Sequence, residues 1–160
     1  MRAAVVLEAG ASTRYGGVKQ RELLPAVLEA LRQTTLDEIV VVEGAHALEA
    51  DGVRIVRCDD WDRGPGASLR CGLAALGDEV TRAVIVLADG PELDARAVDR
   101  LAAHTAPVAA ATYDGTTRSH PVALDRAAWG DIPDAGGRAL APALVDCSDL
   151  RPPGDIDVRR

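Results

Sequence analysis

A doubly wound α/β fold, with a mostly parallel sheet and one antiparallel element, is predicted by three features of this 160-residue sequence. Short continuous runs rich in Val and Ile, of the kind that form strands buried on both faces, alternate with stretches of helical periodicity. Phe is absent, and there are only two Trp and two Tyr within an apolar fraction of 48%. Val, Leu, Ile and Ala must therefore fill the interior, which suits parallel strands covered by Ala-rich helices. An Asp114-Gly115 pair then turns the chain back and supplies the antiparallel element. The length fits one domain over 1–160, large enough to bury roughly 68–70% of its unfolded surface.

Ala3 to Leu7 is a buried strand that runs straight into the small-residue loop Ala9-Gly10-Ala11-Ser12-Thr13. From about Lys19 to Gln33, Leu23, Leu24, Val27, Leu28 and Leu31 recur at helical spacing, with Pro25 expected in the first turn. Ile39 to Val42 is a second strand and Val53 to Val56 a third, with a short Ala-rich helix expected between them. Gly64-Pro65-Gly66 breaks the chain before a helix from Ser68 to Leu76. Ala83 to Leu87 is the most apolar strand and ends in Ala88-Asp89-Gly90-Pro91. Asp94 reads as the N-cap of a helix reaching about His104, its buried side carrying Val98 and Leu101. Val108 to Thr112 and Arg118 to Leu124 are the two arms of the hairpin. Gly136-Gly137 opens a short helix to about Leu144, and Val145 to Leu150 is the last expected strand.

No apolar run approaches the roughly 18 residues of a membrane span, and the first strand is too short for the core of a signal peptide. Cys58, Cys71 and Cys147 are odd in number and lack a CxxC or Cys/His pattern. Neither a disulfide framework nor a zinc site is expected, and a reducing cytoplasm is the simple inference. A formal charge of −7 argues against general affinity for nucleic acid. It leaves nucleotides open, because exposed charges are screened beyond about 8 Å and cations lining a pocket can outweigh the global sign.

Two stretches carry chemistry. Between the first strand and the first helix, small residues from Ala9 to Gly17 let a ligand approach the backbone, whose amides can bind phosphate oxygens. Arg14 and Lys19 add fixed positive charge there, able to hold a triphosphate and stabilise departing pyrophosphate. The same loop would also serve as a glycine-rich turn with solvated charges. Asp89 stands at the carboxyl end of the most hydrophobic strand, where open α/β sheets bind ligands, and a carboxylate there suits Mg²⁺. An Asp that merely leads into a helix is the plain alternative.

Leu7 to Lys19 resembles the signature loop of the MobA-like NTP transferases, LAGGxSxRMGxxK, or LAAGxSxRMGxxK in the cytidylyltransferase branch. The matches include Leu7, Ala9, Gly10, Ser12, Arg14, Gly16 and Lys19, with Tyr15 in place of Met. Further on, Trp61 to Gly64 and Ser68-Leu69-Arg70-Cys71-Gly72-Leu73 resemble the segment WxxG…SLxxGL, and Asp89-Gly90-Pro91 the metal-binding DxP. Ser119-His120-Pro121-Val122 is similar to the GHPV of the molybdenum cofactor cytidylyltransferases, Asp134 to Arg138 to their GDxGAR, and Asp155-Ile156-Asp157 to their terminal DID.

The resemblance implies a Rossmann-like nucleotidyltransferase of the type A glycosyltransferase-like fold, in which an acceptor phosphate attacks the α-phosphorus in line and pyrophosphate leaves. Such transfers need positioning and charge neutralisation more than covalent chemistry. Carried onto this chain, Leu7, Ala9, Gly10, Ala11, Ser12, Arg14, Lys19 and Ser68 would face the nucleotide, Arg14, Lys19 and Asp89 being the catalytic set. Asp89 and Asp157 would hold Mg²⁺, and His120, Asp134 and Arg138 would face the acceptor. His120 could equally bond backbone within the hairpin, and Arg138 could be a surface charge at a helix start. The implied partners are an NTP, either CTP or GTP, and a phosphorylated small-molecule acceptor, with a homodimer compatible and neither nucleic acid nor membrane involved. Glu8 departs from the family loop, which has a small apolar residue there. Pointed at the phosphates it would cost roughly 4 kcal/mol per charge pair at about 4 Å. Strand alternation could instead turn it away.

Overall fold

The computed structural model describes residues 1–8, 16–44, 47–137 and 140–154, with residues 16–21 and 131 described through the backbone alone. Within these, the sheet has seven strands: β1 (Arg2–Leu7), β2 (Glu38–Glu43), β3 (Arg54–Arg57), β4 (Arg82–Leu87), β5 (Val108–Thr112), β6 (Arg118–Asp125) and β7 (Ala143–Asp146). Their order is β3-β2-β1-β4-β6-β5-β7. β1 to β4 pair in parallel, and β7 is parallel to β5. β6 runs antiparallel to both of its neighbours, β4 and β5. The expected mostly parallel sheet with one antiparallel element is therefore present.

Side-chain alternation along β1 explains the two layers. Ala4 and Val6 face Leu24, Val27, Leu28 and Leu31 of α1 (Gly16–Arg32) together with Val98 and Leu101 of α3 (Ala95–Ala103). Ala3, Val5 and Leu7 face Leu69 and Leu73 of α2 (Pro65–Ala74) on the other side. Small side chains bring the layers close together. At Gly72 of α2 an added Cβ would fall 2.5 Å from Val5 Cγ1 and 2.8 Å from Val42 Cγ2, so only glycine lets this helix lie so near the sheet.

Arg82 opens β4 inside the protein and is only 5% exposed. Its guanidinium donates to the Leu101 carbonyl from Nε at 3.1 Å and from Nη2 at 2.9 Å. Nη1 donates to the Ala106 carbonyl at 2.9 Å and to Asp125 at 2.7 Å. The cation thus closes the carbonyl-rich end of α3, whose other end is capped by Asp94 accepting from the Arg96 amide, as expected.

Several expected boundaries differ. α1 starts at Gly16, earlier than Lys19, and carries Pro25 inside it. Pro25 is exposed, so the carbonyl that loses its partner one turn back lies on the wet face. Residues 47–53 between β2 and β3 form no helix. Leu48 plugs into the core, and a turn at Gly52 (φ +74°) leads into β3. α2 begins at Pro65, three positions ahead of Ser68, because proline at the first turn loses no hydrogen bond. Residues 140–142 are irregular in place of the expected short helix, and the last strand is Ala143–Asp146 and not Val145 to Leu150. Pairing from Ala109↔Ala143 to Thr112↔Asp146 sets that register, and a turn at Cys147 to Leu150 ends it.

The cysteines are the other correction. Cys58 and Cys71 form a disulfide between the end of β3 and α2, with Cα atoms 5.9 Å apart, while Cys147 is a buried thiol. Proximity in space, which no spacing motif signals, pairs them. Cysteine usage therefore no longer speaks for a reducing compartment.

Candidate active site

The carboxyl ends of β1, β2 and β4 meet along one edge of the sheet. Leu7 and Leu87 are partners in the ladder, and the Ala88 amide donates to the Leu7 carbonyl at 2.9 Å. The crossover that follows β1 and the Asp89 turn that follows β4 thus leave the sheet side by side. A cleft of about 1230 Å³ opens above this edge. Its wall includes Leu7, Glu8 and Gly44 at the strand ends, Trp61, Ser68 on α2, and Ser119 and His120 on β6. Ser119 and His120 also line a smaller recess of about 270 Å³ with Asp89, Gly90, Pro153 and Gly154, which joins the two spaces.

Each wall residue has a local cause. Asp89 is 4% exposed because Gly90-Pro91 folds the chain back over it: the Gly90 amide donates to the Leu87 carbonyl at 3.3 Å, and Leu93 packs beneath. The Glu92 amide donates to the Pro153 carbonyl at 2.8 Å, which brings the C-terminal segment up to Asp89 as far as Gly154. His120 starts on the reversed strand β6, so it reaches the same edge as the ends of the parallel strands. Its carbonyl accepts from the Tyr113 hydroxyl at 2.8 Å, and its peptide bond to Pro121 is cis. Burial pushes the Tyr113 phenol above its ordinary value. Below it, Asp114 ties the hairpin, accepting from the Thr117 and Thr116 amides at 2.7 and 2.8 Å, which holds its carboxyl well below the usual range.

Asp134 sits at the rim. Its carboxylate takes a hydrogen bond from Arg70 and an ion pair from Arg63 at 3.4 Å, and the Arg70 bond is the main cause of its lowered pKa. Its carbonyl accepts from the Gly66 amide at 2.9 Å. A Cβ on Gly66 would stand 1.7 Å from the Pro133 carbonyl oxygen, and one on Gly64 (φ +133°) 2.3 Å from that of Asp134. The turn around Asp134 is therefore docked onto the start of α2, and the Gly66 amide there is committed to protein. Arg118 fixes the next stretch by donating to the Gly137 carbonyl at 2.6 Å and the Leu140 carbonyl at 2.8 Å.

Of the residues singled out in the sequence, Leu7, Ser68 and His120 share the large cleft, and Asp89 lies in the adjoining recess. Asp134 is turned into a clamp between Arg63 and Arg70. Lys19 belongs to α1, whose first turn faces this edge, but its side chain lies outside the described residues, as do Ala9, Gly10, Ala11, Ser12, Arg14, Arg138 and Asp157. Glu8 is settled: it neither turns to solvent nor leaves the cleft, and its Oε2 accepts from the Gly44 amide at 3.0 Å. Arg118 and Gly44 had no local signal, because each acts through a segment far away in the chain, and Tyr113 acts across the hairpin on the carbonyl seven residues on. Among the described residues no three His, Cys, Asp or Glu side chains converge as a metal cluster, and no helix is long and apolar enough to cross a membrane.

A family model described as the MobA-like NTP transferase domain matches residues 4–147. Among curated proteins, the bifunctional protein GlmU of Mycolicibacterium vanbaalenii is 34% identical over 145 residues, covering 78% of this chain and 30% of that protein. The chain thus spans about a third of the length of the curated relatives it matches. Among solved structures, Rv0371c of Mycobacterium tuberculosis in complex with manganese superposes with a TM-score of 0.78 at 23% identity, over 98% of this chain and 93% of that one. The 2-C-methyl-D-erythritol 4-phosphate cytidylyltransferase of Francisella tularensis gives a TM-score of 0.66 at 12% identity, over 95% and 94%.

Proposed function

The chain belongs to the family of MobA-like NTP transferase domains, a nucleotidyltransferase family, and from that premise we propose that it is a Mg²⁺-dependent enzyme transferring an NMP from an NTP to a phosphorylated acceptor with release of pyrophosphate. CMP is preferred to GMP as the transferred group, and a molybdopterin-type phosphate is the favoured acceptor. The observation that carries the reading is the shared edge: the end of β1 at Leu7-Glu8 lines the cleft and the Asp89 turn after β4 lines the recess that adjoins it, as a triphosphate held at one end and an acceptor at the other require.

Division of labour follows from the strand order. The half of the cleft over β1, β2 and β3 would take the nucleotide, with the loop from Ala9 and Ser68 near it. Arg14 and Lys19 would balance the charge that builds on the leaving pyrophosphate. The half over β6 would take the acceptor, His120 facing it, with Arg138 near the segment that Arg118 fixes. Asp134 would act on the acceptor side by holding that wall in place. Asp89 fits a hard divalent cation, being a buried carboxylate at a strand end, and the C-terminal segment beside it leads on to Asp157, the second proposed ligand. When bound, the ion would neutralise phosphate charge in the transition state. The manganese in the Rv0371c structure supports a divalent cation on this fold.

Transfer to a sugar or alditol phosphate is the second reading, favoured by the fold shared with the Francisella cytidylyltransferase, whose name states a methylerythritol phosphate. A nucleotide-binding module without catalysis is the third. Incubating the protein with each NTP, Mg²⁺ and a panel of phosphorylated acceptors, and measuring pyrophosphate, separates them. The acceptor that supports release identifies the substrate class, and no release with any pair leaves the module. Asp89→Ala should abolish release while circular dichroism stays native; an unchanged rate would remove Asp89 from the metal site.

A further inference from the structure

Cys58 and Cys71 are joined covalently, and no step of the proposed transfer uses them. The bond closes a ring over 58–71, and that ring carries Trp61, Asp62, Gly64, Pro65, Ser68 and Leu69 of the cleft wall. Its two halves are anchored unequally. From Pro65 on, α2 is fixed by Leu69 and Leu73 in the core, by Gly72 against Val5 and Val42, and by the Gly66 and Arg70 bonds to the turn at 132–134. Residues 59–64 have weaker ties. No side chain of the short helical turn Trp61–Arg63 is buried, although Trp61 rests on Gly44. The Arg63 and Gly64 amides bond inside the segment, to the Asp60 and Trp61 carbonyls, and the ion pair from Arg63 to Asp134 is exposed. The disulfide therefore fixes the span between the end of β3 and α2, across which this half of the wall hangs.

Access to the bond is one-sided. Cys58 is 0% exposed and Cys71 is half-buried, so a thiolate from solution reaches the bond at Cys71. Cys147 lies in the layer on the opposite face of the sheet and offers no alternative partner. We propose that Cys58–Cys71 is a redox modification site, at which a dithiol reductant opens the bond, loosens the wall over 59–64 and weakens binding in the cleft. A thiolate of the dithiol attacks Cys71 Sγ, and the Cys58 sulfur leaves as a thiolate and takes up a proton. The second thiol of the reductant then displaces Cys71 from the mixed disulfide. Two electrons and two protons pass from the dithiol, which ends as a disulfide, to the two cysteines, which end as thiols. The effect on nucleotide binding rests on the reading of the cleft as an NTP site, whereas the effect on the order of the wall does not.

The full chain is treated with dithiothreitol in the absence of denaturant, and alkylation with mass spectrometry reads the state of the bond. Hydrogen–deuterium exchange, and affinity for CTP and GTP with Mg²⁺ by isothermal titration calorimetry, are then compared between the oxidised and reduced protein. Reduction should go to completion while circular dichroism stays native. Amides over 59–64 should exchange about tenfold faster with those of β1 and β4 unchanged, and the affinity for whichever nucleotide binds should fall by about tenfold, since a loosened wall must be ordered again on binding. Reoxidation should restore both. A bond that opens only in denaturant overturns the proposal, as do unfolding of the whole chain on reduction, unchanged exchange over 59–64, and equal measurable affinity in the two states. The double variant Cys58→Ala, Cys71→Ala should match the reduced wild type and ignore dithiothreitol; a response in the folded variant overturns the proposal, and should it not fold, the wild-type comparison decides. Faster exchange confined to 59–64 with no nucleotide bound in either state supports the redox site while ending the NTP reading.

Discussion

Replacing Gly66 by alanine tests how the cleft wall is held. The new methyl carbon would stand 1.7 Å from the Pro133 carbonyl oxygen, 2.7 Å from its carbon and 3.0 Å from the Asp134 carbonyl carbon. These are backbone atoms, so no rotamer change relieves the clash, and the turn at 133–136 must withdraw by more than an ångström. Withdrawal breaks the 2.9 Å bond from the Gly66 amide to Asp134 and pulls the Asp134 carboxylate from Arg70. Overpacking of this kind costs about 1–3 kcal/mol, and the lost hydrogen bond about 1 kcal/mol more. Replacing glycine in a helix returns at most about 1 kcal/mol, leaving a net loss of roughly 1–3 kcal/mol. For a domain of this size that lowers Tm by roughly 2–12 °C. Because Ala135 and Gly136 line the cleft, nucleotidyl transfer should also fall about 100-fold, the usual cost of an ångström of misplacement. Differential scanning calorimetry and pyrophosphate release measure the two effects, with Gly130→Ala as control, since nothing lies within 4 Å of a Cβ there. A Gly66→Ala protein that melts and turns over like the control would refute the docking of the 133–136 turn on α2.

Arg82→Ala should destabilise by about 3 kcal/mol, because the Leu101 and Ala106 carbonyls and Asp125 lose a buried cation; a urea midpoint within error of the wild type would mean that these bonds contribute nothing net. The forked pair of Arg100 and Asp149, at 2.7 Å for both bonds, holds the Asp149 carboxyl down at about 2 from an ordinary 3.8. Since the folded-state value is depressed, its stabilisation is present above pH 3.8 and lost as pH falls through about 2. The gap in urea midpoint between wild type and Asp149→Asn should therefore close between those two values, and a constant gap would contradict the assignment. Reduction of the Cys58–Cys71 disulfide, which spans a sequence separation of 13, should cost about 3 kcal/mol. Unfolding curves with and without dithiothreitol measure it, and coincident curves would count against the bond.

What could be read from the residues is what local physics determines. The Val-rich runs became strands within a residue or two of their expected limits, because burial on both faces demands an unbroken apolar stretch. Asp94 capped α3 as its side-chain chemistry requires. Errors arose where a distant partner decides. Pro25 is tolerated in mid-helix because the tertiary fold leaves it on the wet side, and residues 47–53 stay unhelical with Leu48 turned into the core and a turn at Gly52 leading into β3. For the candidate site, strand ends announced Asp89, and the motif around Ser68 announced a residue of the cleft wall on α2, although that helix starts three positions earlier. The clamp on Asp134, the bond from Tyr113 to His120 and the lean of Glu8 toward Gly44 each join residues 7 to 71 positions apart, beyond any periodicity or spacing rule.

The single reversed strand has its own consequence for how such a protein can change. Because β6 enters the sheet at the edge where its parallel neighbours leave it, the short connection over 113–117 leads directly into Arg118, Ser119 and His120 on the cleft wall. Lengthening or rewriting that tip would reshape the β6 side of the cleft, while the strand ends of β1 and β2 on the other side stay untouched. On the proposed division of the cleft, a new acceptor is acquired by altering one hairpin loop, with the nucleotide half inherited unchanged.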